Sequence, residues 1–325
     1  SSTKSLHQLN LAILSSLAAF NLSAALIIVE PSENSYKEIQ EALIIAEPGD
    51  VVRLTGGTFV IEDGLSLDIP GVKIEGEGMD ASILEFSNQK SGAQGLLVTS
   101  DNVTLQDFAV VNAKGDAIKS KGANNISFIR VKTEWTGGPK TTNGAYGLYP
   151  VESENILIDD CVAIGASDAG IYVGQSKNII VKNSFVKHNV AGIEIENSFY
   201  ADVYDNLAEE NTGGILVFDL PDLPQQGGHH VRVFNNKVIN NNTPNFAPEG
   251  NIVGEVPSGS GIMVMANSHV EVFENRIENN GTTGIAVVSY ADDYQDKNYY
   301  PHPRSIQIHN NEYINNGKNP DVESN

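Results

Sequence analysis

The stretch "GIYVGQSKNIIVKNSFVKHN", residues 170–189, holds three short phrases in which apolar residues alternate with others. Gly, Gln, Ser and Asn separate the phrases. Strict alternation over four to six residues is the signature of a strand with one buried face, and the separators are turn residues. The first phrase recurs as "GLYPVES" at 147, "GIYVGQS" at 170, "GIEIENS" at 192, "GILVFDL" at 214, "GIMVMAN" at 261 and "GIAVVSY" at 284. The starts are 23, 22, 22, 47 and 23 residues apart, so one interval is a repeat plus an inserted loop. A second phrase follows each first one ("NILIDD", "NIIVKN", "ADVYDN", "VRVFNN", "VEVFEN", "SIQIHN"), and then a third.

Three short strands per repeat of about 22 residues predict an all-β fold, a right-handed parallel β-helix solenoid with three strands per coil. Ile171 and Val173 point inward and Tyr172 and Gly174 outward, and stacked coils share one core. The asparagines at 183, 206, 236, 275 and 311 fit left-handed turns whose amides bond from coil to coil. Upstream, Ile39, Ala42, Leu43 and Ala46 lie at helical spacing before Pro48-Gly49, which predicts an N-terminal helix that caps the open solenoid.

The organisation expected is a secretory leader over 1–25, a strand and capping helix over 26–52, the β-helix over 53–316 and a polar tail over 317–325. Lys4 and His7 precede an apolar run from Leu11 to Phe20, and "LSAA" supplies small residues at a cleavage position. An amphipathic helix of the mature chain is the alternative. The apolar run is too short to span a membrane, and no spanning segment follows it. The expected location is therefore periplasmic or extracellular. Loop insertions interrupt the period near 133–146, 219–260 and 290–304. Insertions into solenoids gather on one side, which is often the binding side.

Among the 325 residues, 20 are Lys or Arg and 41 are Asp or Glu, for a net charge of −21. Nucleic acid and anionic membranes are disfavoured as partners by such a surface. The single cysteine, Cys161, excludes an internal disulfide framework and reads as a small buried residue.

The repeat also aligns the outward positions. One column runs Lys119, Tyr149, Tyr172, Glu194, Leu216, Met263, Ala286. The next runs Lys121, Val151, Gly174, Glu196, Phe218, Met265, Val288. The apolar half should lie under the inserted loops, since such a strip does not face water. The polar half, on the order of 14 Å long at about 4.8 Å per coil, is expected to be an open groove. Its candidate catalytic residues are Lys119, Lys121, Tyr146, Tyr149 and Tyr172. Its candidate substrate-binding residues are Trp135, Glu152, Asp168, Gln175, Glu194 and Glu196. For each residue singly, a solvated surface side chain is an equally good reading.

The repeat pattern resembles the right-handed β-helix superfamily that includes pectate-lyase-like and mannuronan C5-epimerase-like proteins. "YGLYPVE" (146–152) is similar to the epimerase phrase Y-G-F-D-P-H-E: Tyr146, Gly147, Pro150 and Glu152 match. Tyr149 stands at that phrase's Asp and Val151 at its His, which removes two groups the epimerases use. The resemblance implies a polysaccharide or oligosaccharide partner, and proton abstraction beside a uronate carboxylate. That chemistry needs a base, an acid and a cation that neutralises the carboxylate. Lysine could supply the cation, and a tyrosine with a lowered pKa could move protons. Ca²⁺ is a possible cofactor through Asp168, Glu194 and Glu196, hard oxygen ligands, although no calcium-loop spacing is present. Paired carboxylates for hydrolysis, Glu152 with Asp168 or Glu194 with Glu196, are a further option. The competing readings are a non-catalytic glycan- or envelope-binding protein and a structural solenoid of a surface assembly.

Overall fold

The computed structural model describes residues 24–323. The expected leader therefore lies outside the described residues, apart from Ala24 and Ala25. Three parallel sheets of nine, eleven and ten strands run the length of the molecule, and the chain visits them in rotation. In the coil of the opening stretch, Ala169–Gly174 belongs to the nine-stranded sheet, Lys177–Lys182 to the eleven-stranded sheet and Phe185–Lys187 to the ten-stranded sheet. The next coil returns to the nine-stranded sheet at Ala191–Glu196. One helix, Ser35–Ile45, precedes the regular coils and buries Ile39, Ala42 and Leu43. No helix among the described residues is long and apolar enough to cross a membrane.

The inward column is continuous. Leu148, Ile171, Ile193, Ile215, Ile262 and Ile285 lie in register, each beside the next. The glycine that opens each phrase has a packing cause. A Cβ at Gly147, Gly192, Gly214 or Gly261 would come within 2.7 Å of the glycine carbonyl one coil on. The close approach of coil to coil at that corner admits no side chain.

Asparagine does two jobs, in adjacent columns rather than in one. The left-handed backbone sits at Asn183, Asp205, Asn235, Glu274 and Asn310, with φ between 52° and 56°. The ladder is the following residue. Asn206 donates to Asn236, Asn236 to Asn275 and Asn275 to Asn311, each at 3.0 Å. The equivalent residue of the Asn183 coil is Ser184, whose backbone N–H donates to Asn206. The expectation of a left-handed turn therefore holds at Asn183 and fails at Asn206, Asn236, Asn275 and Asn311. The reason is that the ladder residue must aim its amide along the axis toward buried carbonyls. A second ladder, Asn189, Asn211, Asn241, Asn280 and Asn316, lines the corner before the nine-stranded sheet.

These buried amides make a direct prediction. Asn236→Ala leaves partners on both neighbouring coils unpaired and should cost about 3 kcal/mol, since a buried orphan group costs about 1–3 kcal/mol. Asn311→Ala, at the ladder's end, should cost less. Urea unfolding of the two variants measures the difference.

Candidate functional site

Strand pairing sets the outward columns. Lys119 lies beside Tyr149, Tyr172 beside Glu194, Glu194 beside Leu216 and Leu216 beside Met263. In the second column, Lys121 pairs with Val151, Gly174 with Glu196 and Glu196 with Phe218. Leu216, Phe218, Met263 and Met265 are buried, packed with Val253, Val256 and Tyr299 from the inserted loops. The loop of residues 240–259, between the strands Lys237–Ile239 and Ser260–Met265, covers this strip as a lid. Asn245 stiffens it by donating its amide to the carbonyls of Val253 and Val256. The Tyr299 hydroxyl donates to the Asp219 carbonyl and fastens a second loop beside it.

The lid reaches further than the sequence suggests, because Val253 and Val256 belong to one buried cluster with Val190, Ala191 and Tyr172, and Asn251 of the same loop reaches Asp168. Glu194, Glu196, Tyr172 and Asp168 are 1, 7, 4 and 5% exposed. They form the floor under the lid and not an open groove. Tyr172 donates to Glu196 at 2.8 Å, and the lid's Asn251 donates to Asp168 at 3.1 Å. Trp135 is also displaced from its expected role. It belongs to the main core, where its indole N–H donates to the Ala113 carbonyl at 2.7 Å. A large apolar ring with one satisfied donor is worth more to the core than to a wet surface. Gln175 is half-buried, and its Oε1 has no partner. Lys121 and Glu152 are exposed at the rim. Cys161 is buried, and burial pushes its thiol up to about 12.

What stays accessible is the end of the column around Lys119 and Tyr149. Tyr146 begins the strand Tyr146–Val151 and is not a loop residue. Its ring lies 4.3 Å from that of Tyr149 and 4.8 Å from that of Tyr172. The Lys119 ammonium sits 4.9 Å above the Tyr149 ring. Asp116, three residues before Lys119 on the same strand, joins the cluster. It escaped the sequence reading, although it stands beside Tyr146 in the register set by Ile118 and Leu148. Asn251 carried no sequence signal, because the lid lies outside the repeat.

Burial governs the electrostatics here. It pushes Asp116 up to about 6, against the pull of Lys119. It pushes Asp168 up to about 7, helped by Glu196 and opposed by the Tyr146 hydroxyl and Asn251. Glu194 is raised by burial and then by Glu196 and Asp168, and both its oxygens lack a hydrogen-bond partner. The phenols also move up. Burial, then Asp116 and Glu196, pushes Tyr149 to about 12, and Tyr146 and Tyr172 lie well above the ordinary value. Lysine therefore does not activate a phenolate, because desolvation and the nearby carboxylates outweigh one cation. The tyrosines keep their protons. No three His, Cys, Asp or Glu side chains among the described residues converge on a metal-sized site. Asp168, Glu194 and Glu196 do not converge into such a site, and burial favours their protonated forms, which are poor calcium ligands.

A family model described as "Right handed beta helix region" matches residues 70–222. The fold is a right-handed parallel β-helix. Among solved β-helices, pectate lyase Pel9A is 13% identical, with a TM-score of 0.52, covering 90% of this chain and 79% of that one. The A-module of mannuronan C-5 epimerase AlgE4 from Azotobacter vinelandii is 15% identical, with a TM-score of 0.51, covering 87% and 92%. An alginate lyase from Paenibacillus sp. str. FPU-7 is 15% identical, with a TM-score of 0.51, covering 89% and 97%. At these identities the likeness is one of fold. No curated protein matches the chain by sequence. The β-helix neighbours are carbohydrate-active enzymes, and in this β-helix the four large loops all enter or leave the nine-stranded sheet.

The buried acids make stability depend on pH in a defined direction. A carboxyl whose folded pKa is raised favours the fold fully below its unfolded pKa, near 4. That contribution is lost as pH rises toward the folded value. For Asp116 and Asp168 the window runs from about pH 4 to about pH 7. Each group contributes a slope of at most about 1.4 kcal/mol per pH unit. Asp168→Asn should flatten the fall in urea stability between pH 5 and 8, and should make the protein more stable than the parent at pH 8.

Proposed function

We propose that the chain is an exported carbohydrate-active β-helix protein that acts on a uronate-containing polysaccharide by proton abstraction, in the manner of a lyase or epimerase. The observation that supports this most is the accessible cluster of Lys119 over Tyr149 beside Asp116, whose carboxyl is pushed up to about 6. The three requirements of the chemistry meet there. Lys119 pairs with the uronate carboxylate and stabilises the enolate as charge moves onto it. Asp116, largely ionised at neutral pH, takes the proton next to the carboxylate. Tyr149, which holds its proton, donates it to the leaving glycosidic oxygen. In elimination the C–H electron pair forms the ring double bond as the C–O bond breaks. In epimerisation Asp116 keeps the abstracted proton, Tyr149 gives its own proton to the opposite face of the same carbon, and no bond to oxygen breaks. Lys121 and Glu152 flank the mouth and meet the neighbouring sugars. The solved β-helices named pectate lyase, mannuronan epimerase and alginate lyase give this reading its context.

A second reading, a non-catalytic glycan-binding protein, is favoured by a specific observation. Three of the candidate carboxyls beside the tyrosine cluster, Asp168, Glu194 and Glu196, are buried beneath the lid.

Incubation with polygalacturonate, alginate and glucuronan, followed at 235 nm and by proton NMR, decides between them. Turnover should rise with pH through about 6 as Asp116 ionises. Asp116→Asn and Lys119→Ala should each lower the rate by about 100-fold or more, the usual scale for a proton-transfer group. If all three polymers stay unchanged, the catalytic reading fails. Binding without turnover would establish the second.

A further inference from the structure

A concavity of about 740 Å³ lies away from the Lys119 mouth, on the outer face of the eleven-stranded sheet. A column of left-handed residues begins at Asn102 and runs along one wall as Asn125, Asn155 and Asn178, then Tyr200, His230 and His269, with φ between 52° and 64°. Asparagine tolerates that backbone, and its amides form a surface ladder from coil to coil at 2.8 to 3.3 Å. A tyrosine there is another matter. Tyr200, at φ 60°, is 55% exposed, so burial does not offset the strain. Strained residues of this kind collect at functional surfaces. Its ring lies 5.1 Å from that of His230, which stacks on His269 at 4.9 Å with 3° between planes.

The floor beside this aromatic strip carries Leu157 and the exposed Ile180, and then the Asp202–Arg232 pair. Aromatic and aliphatic faces flanked by amides suit a pyranose, whose C–H faces stack while its hydroxyls bond. Coils repeat at about 4.8 Å, comparable to the length of one 1,4-linked pyranose, so a chain lying along the axis meets one platform per sugar. The charges argue for a neutral sugar. Arg232 is held bidentately by Asp202 at 2.8 Å, and Glu271 adds a negative charge to the wall. Among the described residues, no unpaired Lys or Arg lines the concavity to meet a uronate.

We propose that this face is a second saccharide-binding surface, specific for a neutral 1,4-linked pyranose chain and independent of the Lys119 mouth. It anchors the protein to a neutral polymer in which its acidic substrate is embedded.

Calorimetric titration with neutral hexasaccharides (cellohexaose, mannohexaose, xylohexaose) and with hexagalacturonate tests it. At least one neutral chain should bind. Tyr200→Asn should weaken that binding by about tenfold or more. The variant restores the residue type found earlier in the same column, so its melting temperature should be unchanged or higher. Lys119→Ala should leave neutral binding intact, which separates failure here from failure at the first site. Absence of neutral binding, binding of hexagalacturonate alone, insensitivity to Tyr200→Asn, or loss with Lys119→Ala would each overturn the proposal.

Discussion

Each coil passes its backbone hydrogen bonds to the next in parallel register, and every side chain takes its address from that register. Because Ile171 pairs with Ile193, Tyr172 must lie beside Glu194, and Gly174 beside Glu196. A slip of one residue would exchange the inward Ile/Val column for the outward one. The two asparagine ladders and the glycine corner oppose such a slip. Asn236 fits only between Asn206 and Asn275, and Gly192 fits only against Gly214. Core, corners and outward columns are thus one constraint seen from three sides.

The same register explains the character of the site. Repeat positions that point outward are free to vary, and along one sheet they change from Lys119 through Tyr149 and Tyr172 to Glu194 and then Leu216. The apolar end requires a cover. The lid that covers it also seals three carboxyls, and desolvation then moves Asp168 into the neutral range. One loop therefore sets the limit of the accessible mouth and the protonation of the floor beneath it. Asp116 and Lys119 stay partly exposed, and burial still raises the Asp116 carboxyl.

The outer face of the eleven-stranded sheet uses the same repeat differently. There the left-handed column changes from Asn178 to Tyr200, trading an undemanding turn residue for an exposed ring. A solenoid can carry separate surfaces on separate sheets, because each sheet has its own outward column and shares only the core.

Periodicity in the chain determines the coil, the inward Ile/Val columns and the outward sequence from Lys119 to Ala286, because short-range alternation and the parallel register are local rules repeated many times. The aromatic column at Tyr200, His230 and His269 was equally available in the alignment, but only the φ values mark it as strained. Trp135, in sequence part of a loop insertion, enters the main core, and Glu194 and Glu196 read as groove residues because their positions in the repeat say nothing about what lies over them. That was decided in the tertiary structure, where residues 243–256, which have no period, fold back across Leu216 as far as Tyr172. A loop outside the repeat follows no register, so its resting place depends on the apolar surface it must cover, and that surface exists only after the coils have stacked.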